Sequence, residues 1–225
     1  MSTVDSDAVA RAVQSIRDRT RRAAGERAVE LIAVTKGFGL DAVTAAVAAG
    51  CTSIGENYAQ ELRDKFALMP ADRVHPQVHF IGQLQTNKVK AIAHLVDVWQ
   101  SVDRPSLADE IARRAPGATV FIQVNTTAES AKGGCSPEGV ASLVEHCRSL
   151  GLDVDGLMTV GPTSGDEALT ATAFALLSET ANDLGLAGRS MGMSNDLEIA
   201  LACGATHVRI GSALFGERPR SRIPE

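Results

Sequence analysis

Long apolar runs are missing from this 225-residue chain. None approaches the roughly 18–20 residues that a membrane span needs, so no membrane partner is expected. The opening stretch, MSTVDSDAVARAV, carries acids early and lacks the apolar core of a secretory leader. Cysteine is sparse. Cys51, Cys135, Cys147 and Cys203 lie far apart with no C-x-x-C pair, which argues against a zinc centre and against a disulfide framework. They fit incidental thiols in a reducing cytoplasm, and no metal is expected. There is no run of Lys or Arg, and the formal net charge is −5, so nucleic acid is not an expected partner. Arg17, Arg19, Arg21 and Arg22 cluster near the start, but on a helix they spread into a solvated face. No strand-like stretch is followed by G-x-G-x-x-G, which a dinucleotide site would need. No linker, low-complexity tract or internal repeat divides the chain.

What is present is a strict alternation. With 44% hydrophobic and 22% charged residues, the composition is that of an ordinary globular protein with length enough for one large core. A first helix is predicted over about residues 5–24, with Val9, Val13 and Ile16 at helical spacing. Strands are predicted at 31–36, 51–57, 78–82, 97–103, 119–125, 155–161, 188–194 and about 206–210, with helical stretches between them. Gly50 and Gly185 close two of the helices, Pro105 opens another, and Ser136 and Pro137 are good first residues for a third. Strands alternating with helices imply a parallel sheet, and nearly continuous apolar strands imply burial on both faces. Eight such units in this length predict a single-domain α/β fold over residues 1–225, a (β/α)8 barrel with an extra N-terminal helix. An open doubly wound sheet is the alternative.

Barrels of this kind carry their sites at the C-terminal strand ends. The expected strand ends are Lys36, Asn57, Gly82, Asp103, Asn125, Gly161, Ser194 and Arg209. Strand side chains alternate, so Ile32, Val34 and Lys36 share one face and Leu31, Ala33 and Thr35 the other. With the first set inward, Lys36 stands in the barrel mouth. Loss of water there disfavours the ammonium and leaves a nucleophilic amine that forms Schiff bases with aldehydes. Spacing alone also allows a surface lysine. Ser194, followed by Asn195 and Asp196, can cap a helix and still offer its hydroxyl to an anion. Gly211 and Ser212 could add a close backbone and a second donor. Plain capping is the alternative. Arg209 on the last strand would need a partner, such as a ligand ring nitrogen or a carboxylate like Glu56. His79 and His207 read as core or supporting residues, and Lys65 and Lys90 as surface lysines.

The stretches AVTK (33–36), IGENYAQE (54–61), HFIGQLQTNK (79–88), SVDR (101–104), IQVNTTAESAKGG (122–134), DGLMTVGP (155–162) and SMGMSNDLEIALACGATHVRIGSALFGERP (190–219) cover most of the chain. In this order they resemble the YggS/PROSC family of pyridoxal phosphate homeostasis proteins. Val78 and the run TTA at 126–128 depart from the usual pattern without touching the expected contacts. The resemblance implies the pyridoxal 5′-phosphate (PLP) barrel also seen in the N-terminal domain of alanine racemases. In that reading Lys36 is the Schiff-base lysine, and Ser194, Gly211 and Ser212 hold the phosphate. Arg209 faces the pyridine nitrogen, Asn57 lines the pocket beside the ring, and Met193, Ile210 and Asn125 form walls.

The function implied is PLP homeostasis in the cytoplasm, by buffering the cofactor or delivering it to apo PLP enzymes, without robust turnover. A small PLP-dependent amino-acid racemase is the alternative. It would need a second base, for which Tyr58 or Cys135 is the candidate. A Schiff-base aldolase acting on a sugar phosphate is a third class. Barrel racemases dimerise through a further domain that this chain lacks, so a monomer is expected.

Overall fold

Eight short segments rich in Val, Ile and Phe pair in chain order as parallel neighbours: β1 (Glu30–Val34), β2 (Ser53–Glu56), β3 (Gln77–Phe80), β4 (Val98–Val102), β5 (Thr119–Gln123), β6 (Asp153–Met158), β7 (Gly188–Ser190) and β8 (His207–Ile210). In the computed structural model, which describes residues 4–70 and 75–217, the ring closes where β8 returns to β1, with Ile32 opposite Arg209. The helices α1 (Ser6–Ala24), α2 (Leu40–Ala48), α3 (Ala59–Phe66), α4 (Val89–Ile92), α5 (Pro105–Arg114), α6 (Val140–Ser149), α7 (Glu167–Asp183), α8 (Leu197–Ala202) and α9 (Ser212–Phe215) surround it. This is the expected (β/α)8 barrel with α1 in front. The last two residues of the longest motif, Arg218 and Pro219, lie outside the described residues.

The apolar strand residues divide by alternation. Ala33, Ile54, Phe80, Trp99, Ile122, Leu157, Val208 and Ile210 belong to one continuous cluster shared with the helices. Each of the Val, Leu, Ile and Phe side chains among them, fully buried, contributes roughly 1.5–3 kcal/mol of transfer free energy. Inside the ring the filling is unusually polar. Phe121, Val98 and Met158 form a small apolar cluster, and Phe121 meets the His207 ring edge-on with centroids 5.0 Å apart. The other inward residues include Ser53, His79, Gln100, Ser190 and Arg209, all buried.

Helix α1 starts where the Asp5 carboxylate accepts from the backbone N–H groups of Asp7 and Ala8, and it buries Val9, Val13 and Ile16. Its arginines are not all a solvated face. Arg17 donates to the carbonyls of Ala49 and Gly50 at the end of α2, and Arg19 grips Glu198 of α8 with two bonds of 2.7 and 2.8 Å. They fasten α1 to the barrel's outer ring.

Several strands are shorter than expected. β7 stops at Ser190 because Gly192 turns with φ +94°, so Ser194 lies in a loop. Ser136 and Pro137 open a short 3-10 turn ahead of α6, and the Ser136 hydroxyl caps no backbone N–H.

Candidate functional site

A cavity of about 520 Å³ opens at the C-terminal strand ends. Val34 and Lys36 both line it, as alternation along β1 requires, while Ala33 packs outward in the helix-side core. Lys36 lies two residues past the end of β1. The chain turns immediately after it at Gly37, whose φ of +79° favours glycine, and the Gly37 N–H donates to Glu61 at 2.7 Å.

Behind Lys36 stands a buried ion network absent from the sequence reading. Lys65 of α3, expected at the surface, is 5% exposed. It donates to the Thr35 carbonyl at 2.9 Å, to Glu61 at 3.1 Å and to Glu56 in a close ion pair. The Thr35 hydroxyl donates to the same Glu56 oxygen at 2.6 Å. Burial pushes the Glu56 carboxyl above its ordinary pKa, against the opposing pull of Lys65. The signal was available: Lys65 follows the core residue Leu62 by three positions, on the same helical face.

This corrects the expectation that Glu56 partners Arg209. Gly55 faces inward, where a Cβ would meet Ile32, Val34 and Ile81, so Glu56 must face out towards α3. Arg209 is itself inward and lines the cavity. It donates to the Ser190 hydroxyl and to the Thr159 carbonyl, each at 2.7 Å. Among the described residues no carboxylate lies within ion-pairing distance of it. Burial lowers its pKa to about 10, so it stays charged at neutral pH.

On the β7 and β8 side, Ser194 and Ser212 line the cavity with hydroxyls 3.2 Å apart. Ser194 accepts from the Ala213 N–H at 3.3 Å and does not cap α8, whose N-cap is Asp196. Asp196 accepts instead from the Met193 N–H. Gly211 has an ordinary φ of −120°, and a Cβ there would meet only Val34, at 3.4 Å or more. The missing side chain therefore keeps space in the cavity and does not relieve backbone strain. Across the mouth, Asn57 lines the cavity and its buried Oδ1 has no hydrogen-bond partner among the described residues. Gly82 leaves room for the Asn57 backbone, since a Cβ there would fall 2.2 Å from the Asn57 carbonyl oxygen.

Met193 also lines the cavity, whereas Ile210 and Asn125 do not. Ile210 follows Arg209 on β8 and so points outward into the helix-side core, leaving only its backbone near the mouth. Asn125 is turned to its own loop, donating to the Glu129 carbonyl. Sequence reasoning passed over Phe38, Ile81 and Val160, which supply apolar wall. Tyr58 is 48% exposed and lines a neighbouring groove. Cys135 does not line the cavity, and burial raises its thiol pKa to about 11.

Residues 4–219 match the family model described as alanine racemase, N-terminal domain. A Pseudomonas aeruginosa protein named pyridoxal phosphate homeostasis protein is 41% identical over 226 residues, covering 97% of each chain. The chain belongs to the family of pyridoxal phosphate homeostasis proteins. A family member from Schizosaccharomyces pombe is 36% identical, covering 99% of this chain and 96% of that one. The structure of PipY from Synechococcus elongatus with PLP bound is similar at a TM-score of 0.80 and 30% identity, over 92% of this chain and 100% of the other. An alanine racemase of Clostridium difficile shares the fold at a TM-score of 0.76 and 14% identity. The family barrel spans 98% of this chain and 59% of that longer enzyme.

Proposed function

We propose that the protein binds PLP at the mouth of the barrel, with Lys36 as the covalent anchor, and serves intracellular PLP homeostasis by buffering or delivering the cofactor. The observation that carries this reading is the gathering of Lys36, Asn57, Arg209 and the Ser194–Ser212 hydroxyl pair around one cavity of about 520 Å³. The names of the relatives, and the PLP in the PipY structure, support it.

The donor set fits the group. PLP supplies an aldehyde that takes an amine as a Schiff base. Lys36 presents that amine at the cavity wall. Ser194, Ser212 and the open backbone at Gly211 suit the phosphate oxygens. The Asn57 Oδ1, without a partner among the described residues, can accept a hydrogen bond from a polar edge of the ring. Arg209 holds a fixed positive charge in a buried setting, which disfavours protonation of a ring nitrogen beside it. Such a cation weakens the ring as an electron sink, and this favours carriage over chemistry that leans on a protonated ring.

The racemase alternative gains no support from its candidate second bases, because neither Tyr58 nor Cys135 lines the cavity. We place the protein in the reducing cytoplasm, in keeping with four free cysteines. No helix among the described residues is long and apolar enough to cross a membrane. In this reading the protein is a monomer that passes PLP to apo enzymes.

The test is a visible spectrum of the purified protein with PLP, then borohydride reduction and peptide mapping. A band that reduction removes, with the label on Lys36, is expected. No band, or a label spread over exposed lysines such as Lys90, would overturn the assignment.

A further inference from the structure

The polar interior of the barrel is ordered in one direction. It starts at Arg209, which can only donate. Arg209 Nη1 donates to the Ser190 Oγ at 2.7 Å. The Ser190 proton must then go to its other neighbour, the Gln100 Oε1 at 2.7 Å. That fixes the Gln100 amide, whose Nε2 donates to His79 Nδ1 at 2.8 Å. His79 is thereby neutral, with its proton on Nε2, which lies 3.1 Å from the Gln77 Oε1 and 3.7 Å from Glu30. Glu30 in turn lies 3.3 Å from His207 Nε2 and accepts from the Ser53 hydroxyl. Ser190, Gln100 and His79 are each at most 1% exposed.

Every link depends on the one before it. Suppose His79 were protonated on Nδ1. The Gln100 amide would have to flip and present its NH2 to Ser190, whose own proton would then have no acceptor, since Arg209 offers none. The groups facing His79 keep it from that state. Burial disfavours its charge more than Glu30 on β1 favours it, His207 on β8 adds to the burial effect, and its pKa falls to about 4. On β6, burial pushes the Asp155 carboxyl up, against the pull of His207.

We infer that Ser190, Gln100 and His79 are positioning residues that seat the Arg209 guanidinium at the cofactor cavity through a one-way hydrogen-bond chain. The inference rests on the proposed PLP site, because it assigns these residues a role at the ring end of that cofactor. They touch no ligand themselves and act through Arg209. A barrel core of this kind is usually filled with branched apolar side chains. Here the interior exchanges that packing for orientation of one buried cation.

The experiment uses the protein loaded with PLP carrying 15N at the ring nitrogen, in the native form and as Gln100→Met. The substitution keeps a similar volume and removes both amide links. The ring-nitrogen resonance is expected to shift, and PLP affinity to fall roughly tenfold, the upper end for one hydrogen bond between neutral groups. The borohydride label should stay on Lys36. A folded variant with an unchanged resonance and affinity would overturn the inference. A second measurement needs no variant. Imidazole 15N spectra of the native protein should find His79 neutral with its proton on Nε2 between about pH 5 and 8. A proton on Nδ1 there would overturn the chain. Failure of the native protein to label at Lys36 would count instead against the PLP site. The His79 spectrum, which needs no cofactor, separates the two failures.

Discussion

Removing Lys65 should cost far more than removing a surface lysine. Its ammonium makes three contacts in a buried setting, to Glu56, to Glu61 and to the Thr35 carbonyl. In Lys65→Met, Glu56 keeps only the Thr35 hydroxyl at 2.6 Å, and a carboxylate with no exposed surface loses its counter-charge. Breaking a buried pair from one side costs about 3–5 kcal/mol, a large part of a typical domain's stability. The sign with pH follows from Glu56. Burial already raises its folded pKa above the unfolded value, and loss of Lys65 raises it further. Such a group contributes stability below its unfolded pKa and loses it as pH rises through the folded pKa. The penalty should therefore be largest near neutral pH and shrink as pH falls towards about 5. Urea unfolding of the native and variant proteins at both pH values measures this. The double variant Lys65→Met/Glu56→Gln should recover most of the loss, because it leaves no stranded charge. A penalty under about 1 kcal/mol, as for an exposed pair, would refute the reasoning. So would a penalty that does not change with pH.

Four further outcomes are expected. Lys36→Ala should lose the reducible visible band yet keep measurable PLP binding by equilibrium dialysis. Ser194→Ala/Ser212→Ala should weaken PLP affinity by about tenfold while borohydride still labels Lys36. Gly82→Ala should destabilise by about 1–3 kcal/mol in thermal unfolding and lower PLP affinity, since its Cβ would push the Asn57 backbone from 2.2 Å. The hydrogen bond from His207 holds the Glu30 carboxyl down at about 2. That contribution is present above the unfolded pKa and lost as pH falls through the folded one, so Glu30→Gln should flatten the acid limb of stability between about pH 4.5 and 2.

The barrel was legible because its signals are local: apolar strands, turn glycines and helical spacing each announce themselves over a few residues. Lys36 was legible by alternation with Ile32 and Val34. The same rule, applied from Arg209, turns Ile210 outward, so alternation itself argues against a wall role for Ile210. The burial of Lys65 is hard to see because its charge argues for the surface, while only helical phase from Leu62 argues for the core. The interior chain from Arg209 to Glu30 was out of reach for a different reason. Its members sit on β1, β3, β4, β7 and β8, and only the register of a closed ring brings them together. Asn125 belongs to the same class, since its side chain is claimed by a loop carbonyl that no spacing reveals.

Ring closure has a consequence for how the chain matures. β1 finds its second neighbour only when β8 is made, and the Arg19–Glu198 clasp joins residues 179 positions apart. Until His207–Ile210 leaves the ribosome, β1 and β7 present open edges, and edges of that kind invite pairing with other chains. Lys36, just past the end of β1, and Arg209 on β8 lie on the two sides of the seam that closes last. A small molecule that touches both binds only the finished ring, so by mass action it opposes reopening along that seam.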